Sequence, residues 1–187
     1  MVVEYELWKE NFTNFCGIIS GEIKFTKVPA IGYGADYINC QLEIDSQCSN
    51  EKVLLNQNII TGNNEGSPSV LNLEYKIKSS SLIQINITTK DFLSNLFSKS
   101  TIQSGNLEFD KKFSISTNNK ALALSIFSES KIQNFLLKHL TVLFNVYTEN
   151  NECIFKLKCL EKKIYSIDEL KTLVDVFRTI IKKHDTL

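Results

Sequence analysis

Apolar residues recur along this 187-residue chain with two different periods, and turn chemistry marks the places where the period changes. Trp8, Phe12, Phe15, Cys16 and Ile19 stand at helical spacing, which predicts an amphipathic helix from about residue 4, with Gly17 and Gly21 at its exit. Residues 22–28 then alternate, placing Ile23 and Phe25 on one face. A loop at 29–34 leads to a second alternating run at 37–44, with Ile38, Cys40, Leu42 and Ile44 inward, and residues 52–61 read as a further strand. The segment 62–68 is Gly-Asn-Asn-Glu-Gly-Ser-Pro, an exposed turn too short to link domains. After it, 71–77 and 82–87 read as a hairpin around Ser79-Ser-Ser81, and Thr89 caps a short helix carrying Phe92, Leu93, Leu96 and Phe97.

The second half is patterned more sharply. Residues 113–116 form a short strand ending at Asn118-Asn119, 120–127 a helix, and Ser128 the cap of a second helix with Ile132, Phe135, Leu136 and Leu140. Val142, Phe144 and Val146 alternate up to Glu149-Asn-Asn-Glu152. The return strand sets Cys153, Phe155, Leu157 and Cys159 on one face and Lys156 and Lys158 on the other, as in an antiparallel sheet covered on one side. Ser166-Ile-Asp-Glu169 is a capping box. Behind it Leu170, Leu173, Val174, Phe177, Ile180 and Ile181 make one stripe, closed by Lys182, Lys183 and His184 at the negative end of the dipole. Hairpin-then-helix thus recurs at 71–97 and 141–184; without sequence identity between the copies this reads as a common motif rather than a duplication.

These periods predict an α+β fold: antiparallel sheet with helices packed on one face and a long amphipathic C-terminal helix. The length predicts one domain, 1–187, or two halves, 1–98 and 101–187, sharing one core. A chain of 21.3 kDa buries about 70% of its unfolded surface, so neither disulfide nor metal is needed to hold it. The hydrophobic share of 43% and zero net charge exclude global disorder. No apolar run reaches membrane-spanning length. Acids at Glu4 and Glu6 stand where a signal peptide carries bases, Val2 is not the glycine of a myristoylation site, and His184 stands where a prenylation box needs Cys. The expected location is cytoplasmic. The sequons Asn11-Phe-Thr13 and Asn86-Ile-Thr88 then read as chance.

Zero net charge conceals a division. Residues 1–93 hold seven Lys against eleven acids, a net of −4, and residues 94–187 hold thirteen Lys and Arg178 against ten acids, a net of +4. Such a dipole could orient the molecule against a charged partner, and a peripheral membrane contact stays open. Nucleic acid is not expected, because Arg178 is the only guanidinium available for phosphates or guanine edges.

Catalytic patterns are scarce. Cys16, Cys40, Cys48, Cys153 and Cys159 are odd in number and contain no CxxC, so they read as buried free thiols rather than a zinc site. His139 and His184 are the only histidines; the first reads as a half-buried residue near a helix end, and the second lies in a fraying tail. Any of ten Cys–His pairings could form in space, and nothing in the sequence selects one. There is no GxSxG and no GxxxxGK[ST]; Gly32-Tyr-Gly34 lacks the third glycine and the helix that a phosphate loop requires. Glu108-Phe-Asp110, read as extended, places two carboxylates on one face, with Lys111 and Lys112 next to them to neutralise the pair. No catalytic, cofactor-binding or metal-ligating residue is assigned, and no cofactor is expected.

The stretch 106–119, Asn-Leu-Glu-Phe-Asp-Lys-Lys-Phe-Ser-Ile-Ser-Thr-Asn-Asn, followed by Ala121, Ala123, Ile126, Phe127 and Ile132, resembles a motif of uncharacterised bacterial proteins that share a domain of unknown function. The resemblance covers about residues 101–160 and is hydrophobic and structural in kind. It implies a bacterial source and Phe109 and Phe113 as core anchors, and it carries no activity. Proteins that it resembles often have membrane helices upstream of the motif, which these residues do not include.

Good patterning without readable chemistry favours a non-catalytic protein-interaction or scaffold domain, binding another protein or itself. The alternatives are a small apolar-ligand or lipid-binding protein and, third, a hydrolase-type enzyme whose site assembles only in three dimensions. A concave pocket with converging polar groups would revive the third.

Overall fold

A computed structural model describes residues 2–29, 36–47, 50–61, 68–90 and 102–185. Helix α1 (Val2–Ile19) is followed by strands β1 (Glu22–Pro29), β2 (Asp36–Asp45), β3 (Lys52–Thr61), β4 (Leu71–Lys78) and β5 (Gln84–Thr89). The second half runs α2 (Leu107–Lys112), β6 (Phe113–Thr117), α3 (Lys120–Phe127), α4 (Ser130–Lys138), β7 (Val142–Glu149), β8 (Glu152–Cys159) and α5 (Ile167–Asp185). The strands form one antiparallel sheet in the order β1-β2-β3-β4-β8-β7-β5-β6. The fold is α+β, as the periodicity predicted.

Period-two patterning fixes the sheet's two faces. One row of laterally paired residues crosses all eight strands as Ile23, Leu42, Leu55, Leu73, Leu157, Phe144, Ile87 and Ile115. The neighbouring row, one residue along each strand, is Glu22, Glu43, Leu54, Glu74, Lys156, Asn145, Asn86 and Ser116. The first row faces the helices. Trp8, Phe12 and Phe15 of α1, Phe109 of α2, Phe127 of α3, Ile132 of α4 and Phe177 of α5 join it in one continuous cluster. Phe109 and Phe113 are buried there with ring centroids 4.8 Å apart.

The hairpin expected at 71–87 does not form. β4 pairs with β3 and β8, while β5 pairs with β7 and β6, so the β7–β8 hairpin is inserted between them. The reason lies in the turns. Asn150 and Asn151 both take positive φ, 50° and 63°, closing β7 onto β8 through a two-residue turn of the type that matches strand twist. Ser79-Ser-Ser81 has no residue in that region. The repeated hairpin-then-helix unit therefore dissolves: its first copy is not a hairpin.

Other local readings change too. Residues 107–112 are helical rather than extended, because the Asn106 side chain accepts from the backbone N–H of Glu108 and Phe109. Ser128 ends α3 instead of capping α4, whose N-cap is Glu129 without a side-chain bond. Leu140 lies beyond α4 and is exposed. His184 is within α5, edge-on to Phe155 at 5.3 Å, not in a frayed tail. Gly17 is inside α1; Ser20, at φ 53°, takes the left-handed exit position, and Gly21 is required because a Cβ there would stand 2.8 Å from the Glu43 carbonyl oxygen. Thr89 ends β5, and the helix expected at Phe92–Phe97 lies outside the described residues, as do Gly32-Tyr-Gly34, Cys48 and most of the 62–68 loop.

Two buried glutamines tie the layers together. Gln57, on the helix-facing side of β3, accepts from the Trp8 indole N–H at 2.9 Å and donates to the carbonyls of Ser69 and Lys163, both at 3.0 Å. Gln133 of α4 accepts from Asn106 at 2.9 Å and donates to the Phe127 carbonyl at 2.6 Å and the Ser104 hydroxyl at 3.2 Å. Arg178 is 9% exposed, and its Nε and Nη2 donate to the Asp45 carbonyl at 2.9 and 2.5 Å. The one guanidinium is thus committed to holding α5 against the end of β2.

Candidate functional site

Three segments converge where the β7–β8 hairpin opens. α4 ends at His139, whose backbone N–H donates to the carbonyls of Phe135 and Leu136 at 3.0 and 3.2 Å. Val142 N–H then donates to the His139 carbonyl at 3.0 Å, turning the chain directly into β7. The hairpin register sets Val142 opposite Cys159, so the end of β8 returns beside the histidine. Residues 160–166 cross to α5, which starts at its capping box: Ser166 N–H donates to Glu169 Oε2 at 2.8 Å, and Glu169 N–H donates to Ser166 Oγ at 3.3 Å.

The space enclosed between these segments is a pocket of about 280 Å³. Phe135, Val142, Cys159 and Leu173 supply a buried apolar lining. His139 is half-buried and lies against Phe135, ring centroids 4.7 Å apart and 35° from parallel. Glu161, Lys163 and Glu169 form a more exposed side, with Lys138 and Asp168 outermost.

The charges on that side are engaged with one another. Lys163 Nζ stands 2.9 Å from both Glu161 Oε2 and Glu169 Oε1, and 5.2 Å from the centre of the Tyr165 ring. The remaining Glu161 oxygen accepts from Thr141 Oγ1 at 2.9 Å. Hydrogen bonds from Lys163 and Thr141 hold the Glu161 carboxyl below its ordinary value. Burial pushes Glu169 up, but bonds from the Ser166 backbone and Lys163 outweigh it, and the net shift is downward.

The deeper groups are held neutral. Burial pushes the Cys159 thiol up to about 12, against the smaller opposing effect of a hydrogen bond with Tyr165. Burial also raises the Tyr165 phenol, whose hydroxyl donates to the Glu161 carbonyl at 3.1 Å. His139 is lowered by burial and then by Lys138, which favours neutral imidazole at pH 7. Of the ten Cys–His pairings, the fold thus brings His139 and Cys159 to one pocket, but with the sulfur protonated. A protonated thiol is a poor nucleophile.

The other chemical candidates are dispersed. On α2, Glu108 and Asp110 are two residues apart and so about 200° around the helix. Glu108 pairs with Lys112 at 3.3 Å, while Asp110 Oδ1 accepts from the Ser104 N–H at 2.8 Å. Cys16, Cys40 and Cys153 are buried free thiols, and burial pushes Cys153 up to about 11. Among the described residues no group of three or more His, Cys, Asp or Glu is placed to hold a metal ion. No described helix is long and apolar enough to cross a membrane.

The sheet face opposite the helices is a second candidate surface. Asn39, Asn56, Asn58, Asn72, Asn86 and Asn145 all lie on it, and Asn56 and Asn72 are shared by two depressions of about 450 and 310 Å³. Glu74 meets Lys76 at 3.1 Å and Lys156 at 3.0 Å, and Lys156 also sits over the Tyr147 ring at 5.4 Å.

No family model matches the chain, and no curated protein or solved structure is significantly similar to it.

Proposed function

We propose that the protein is a non-catalytic binding protein whose ligand is a small molecule seated between α4, the β7–β8 hairpin and α5. One observation carries this reading: the pocket joins a buried apolar lining to a histidine ring that makes no hydrogen bond among the described residues. Concavity, apolar walls and a few converging polar groups are the ordinary composition of a ligand site. The reading is binding rather than turnover because the thiol is held protonated and the carboxylates already serve Lys163. A fragment library observed by NMR tests it. Hits should vanish in Leu173→Trp, which fills the pocket, and persist in Lys158→Glu on the opposite sheet face. No hits, or hits indifferent to a folded Leu173→Trp, would overturn it.

A second reading, self-association through the amide-rich sheet face, is favoured by a specific observation. Asn is depleted in strands, yet this face carries it on β2, β3, β4, β5 and β7. A second copy of the chain is the occupant that fits. Amides both donate and accept, and the Glu74–Lys156 pair is complementary to itself across a twofold axis. Sedimentation to high micromolar concentration should show a dimer that Lys156→Glu dissociates. A monomer at every concentration removes this reading.

A further inference from the structure

We infer that the pocket selects an uncharged, planar aromatic molecule with a hydrogen-bonding edge, an inference that rests on the ligand-binding reading of the same site. Charge is decided first. Lys163 already contacts two carboxylates at 2.9 Å, so it has little to offer an anion. The α4 carbonyls that end at His139 give this wall a partial negative charge, which disfavours an anion further. A cation fares no better. Glu161 gives its oxygens to Lys163 and Thr141, and Glu169 gives its oxygens to Lys163 and Ser166. Asp168 is 95% exposed and near Lys171 at 3.8 Å, where an ion pair gains little.

Shape is decided by the walls. Phe135 and His139 pack ring against ring, centroids 4.7 Å apart, and line the pocket as one aromatic wall, which Val142 and Leu173 complete into an apolar slot. Flat rings use such a wall well, with offset or edge contacts. Polarity is decided by His139. Neutral imidazole presents one donor and one acceptor nitrogen, and no described protein group uses either. The groups facing it are Lys138 on its own segment and Glu161, Lys163 and Glu169 across the pocket. The two nitrogens point too far apart for one ligand edge to meet both, so the bond that matters is a ligand N–H donated to the acceptor nitrogen, which the amide of nicotinamide can supply.

Three nearly isosteric probes separate charge from shape: benzamide, benzamidinium and benzoate, with nicotinamide as the heteroaromatic member. At pH 7.5, NMR titration should give nicotinamide and benzamide at least about tenfold tighter than either charged probe. Binding should weaken as pH falls from 7.5 to 5.5, since imidazolium loses its acceptor nitrogen. His139→Phe keeps the ring stack and removes both nitrogens; it should cost several-fold in affinity while the melting temperature shows an intact fold. Equal or tighter binding of benzoate or benzamidinium overturns the inference, as does a flat pH profile. If none of the four binds while other fragments still respond to Leu173→Trp, the ligand class is wrong and the pocket reading survives. If no fragment binds at all, both fail.

Discussion

Two neighbouring rows of the same sheet have opposite characters. The row through Leu73 and Phe144 is apolar across all eight strands, while the row through Glu74 and Asn145, one residue along, is almost wholly polar. Backbone geometry, pairing and strand length are shared, so the difference lies in what covers each face. The helices remove water from the first row and make it one core; no described helix lies over the second. The first row should therefore carry stability and the second should be nearly free of it. That separation is what makes the second row, and the pocket at the hairpin's open end, places where sequence can answer to a ligand.

The strongest way to break this comparison is to truncate both rows. Phe144→Ala and Leu73→Ala, fully buried in the first row, should each cost about 2–5 kcal/mol in urea unfolding. Lys158→Ala on the other face should stay within about 0.5 kcal/mol. Comparable losses on both faces would mean that the polar face is covered.

Next in size is the exception within the dry face. Gln57 interrupts the helix-facing side of β3, and its amide serves the Trp8 indole and two carbonyls. Gln57→Ala should cost about 1–3 kcal/mol, chiefly because the buried Trp8 indole and the two part-buried carbonyls lose their bonds. Gln57→Leu fills the volume but leaves the same partners unsatisfied, so it should restore only part. Full recovery in Gln57→Leu would show that packing, not hydrogen bonding, places the residue there.

A smaller effect belongs to the polar row. Burial raises the Glu74 carboxyl, but hydrogen bonds from Lys156 and Lys76 more than reverse this, leaving it below its ordinary value of 4.5. A lowered carboxyl contributes stability that is fully present above the ordinary value and lost as pH falls through the folded one. Glu74→Gln should therefore cost under about 1 kcal/mol at pH 7, and the difference from wild type should close below pH 4.5. A difference unchanged at low pH would place the effect in packing rather than in charge.

Legibility followed distance along the chain. The β7–β8 hairpin, α3, α5 and the inward residues of β2 were readable because a turn, a period or a cap encodes each within a few residues. Once Asn150-Asn151 is accepted as the turn, its register already sets Cys159 against Val142, three residues from His139. Half of the pocket was thus within reach of the sequence. The other half depends on how α5 lies across the sheet, which no local pattern states. The Gln57 bonds were hidden for the same reason, spanning 49, 12 and 106 positions. The misplacement of β5 beside β4 is the reverse error: adjacency in sequence stood in for pairing, where the serine turn lacks the positive-φ residues that would have enforced it. At Asn106 the signal is present in the sequence: an Asn before a hexamer with Glu108 and Asp110 in its first turn and Lys111 and Lys112 in its last is a helix cap.

The smallest expected effect concerns the amides themselves. Asn145 sits between Lys156 and Asn86 in the polar row and is half-buried. Host-protein scales spanning about 1 kcal/mol rank Thr above Asn in strands, because a β-branched side chain packs better on a pleated surface. Asn145→Thr should therefore raise stability by a few tenths of a kcal/mol, about 1 °C in melting temperature for a chain of this length. Such a gain would mean that the amide is kept against the fold's own interest, which is the pattern of a surface shaped by binding. If sedimentation then shows self-association weakened by the same substitution, the polar row is the interface. If Asn145→Thr destabilises instead, the amide has a structural partner, and the contrast between the two rows is narrower than their pairing suggests.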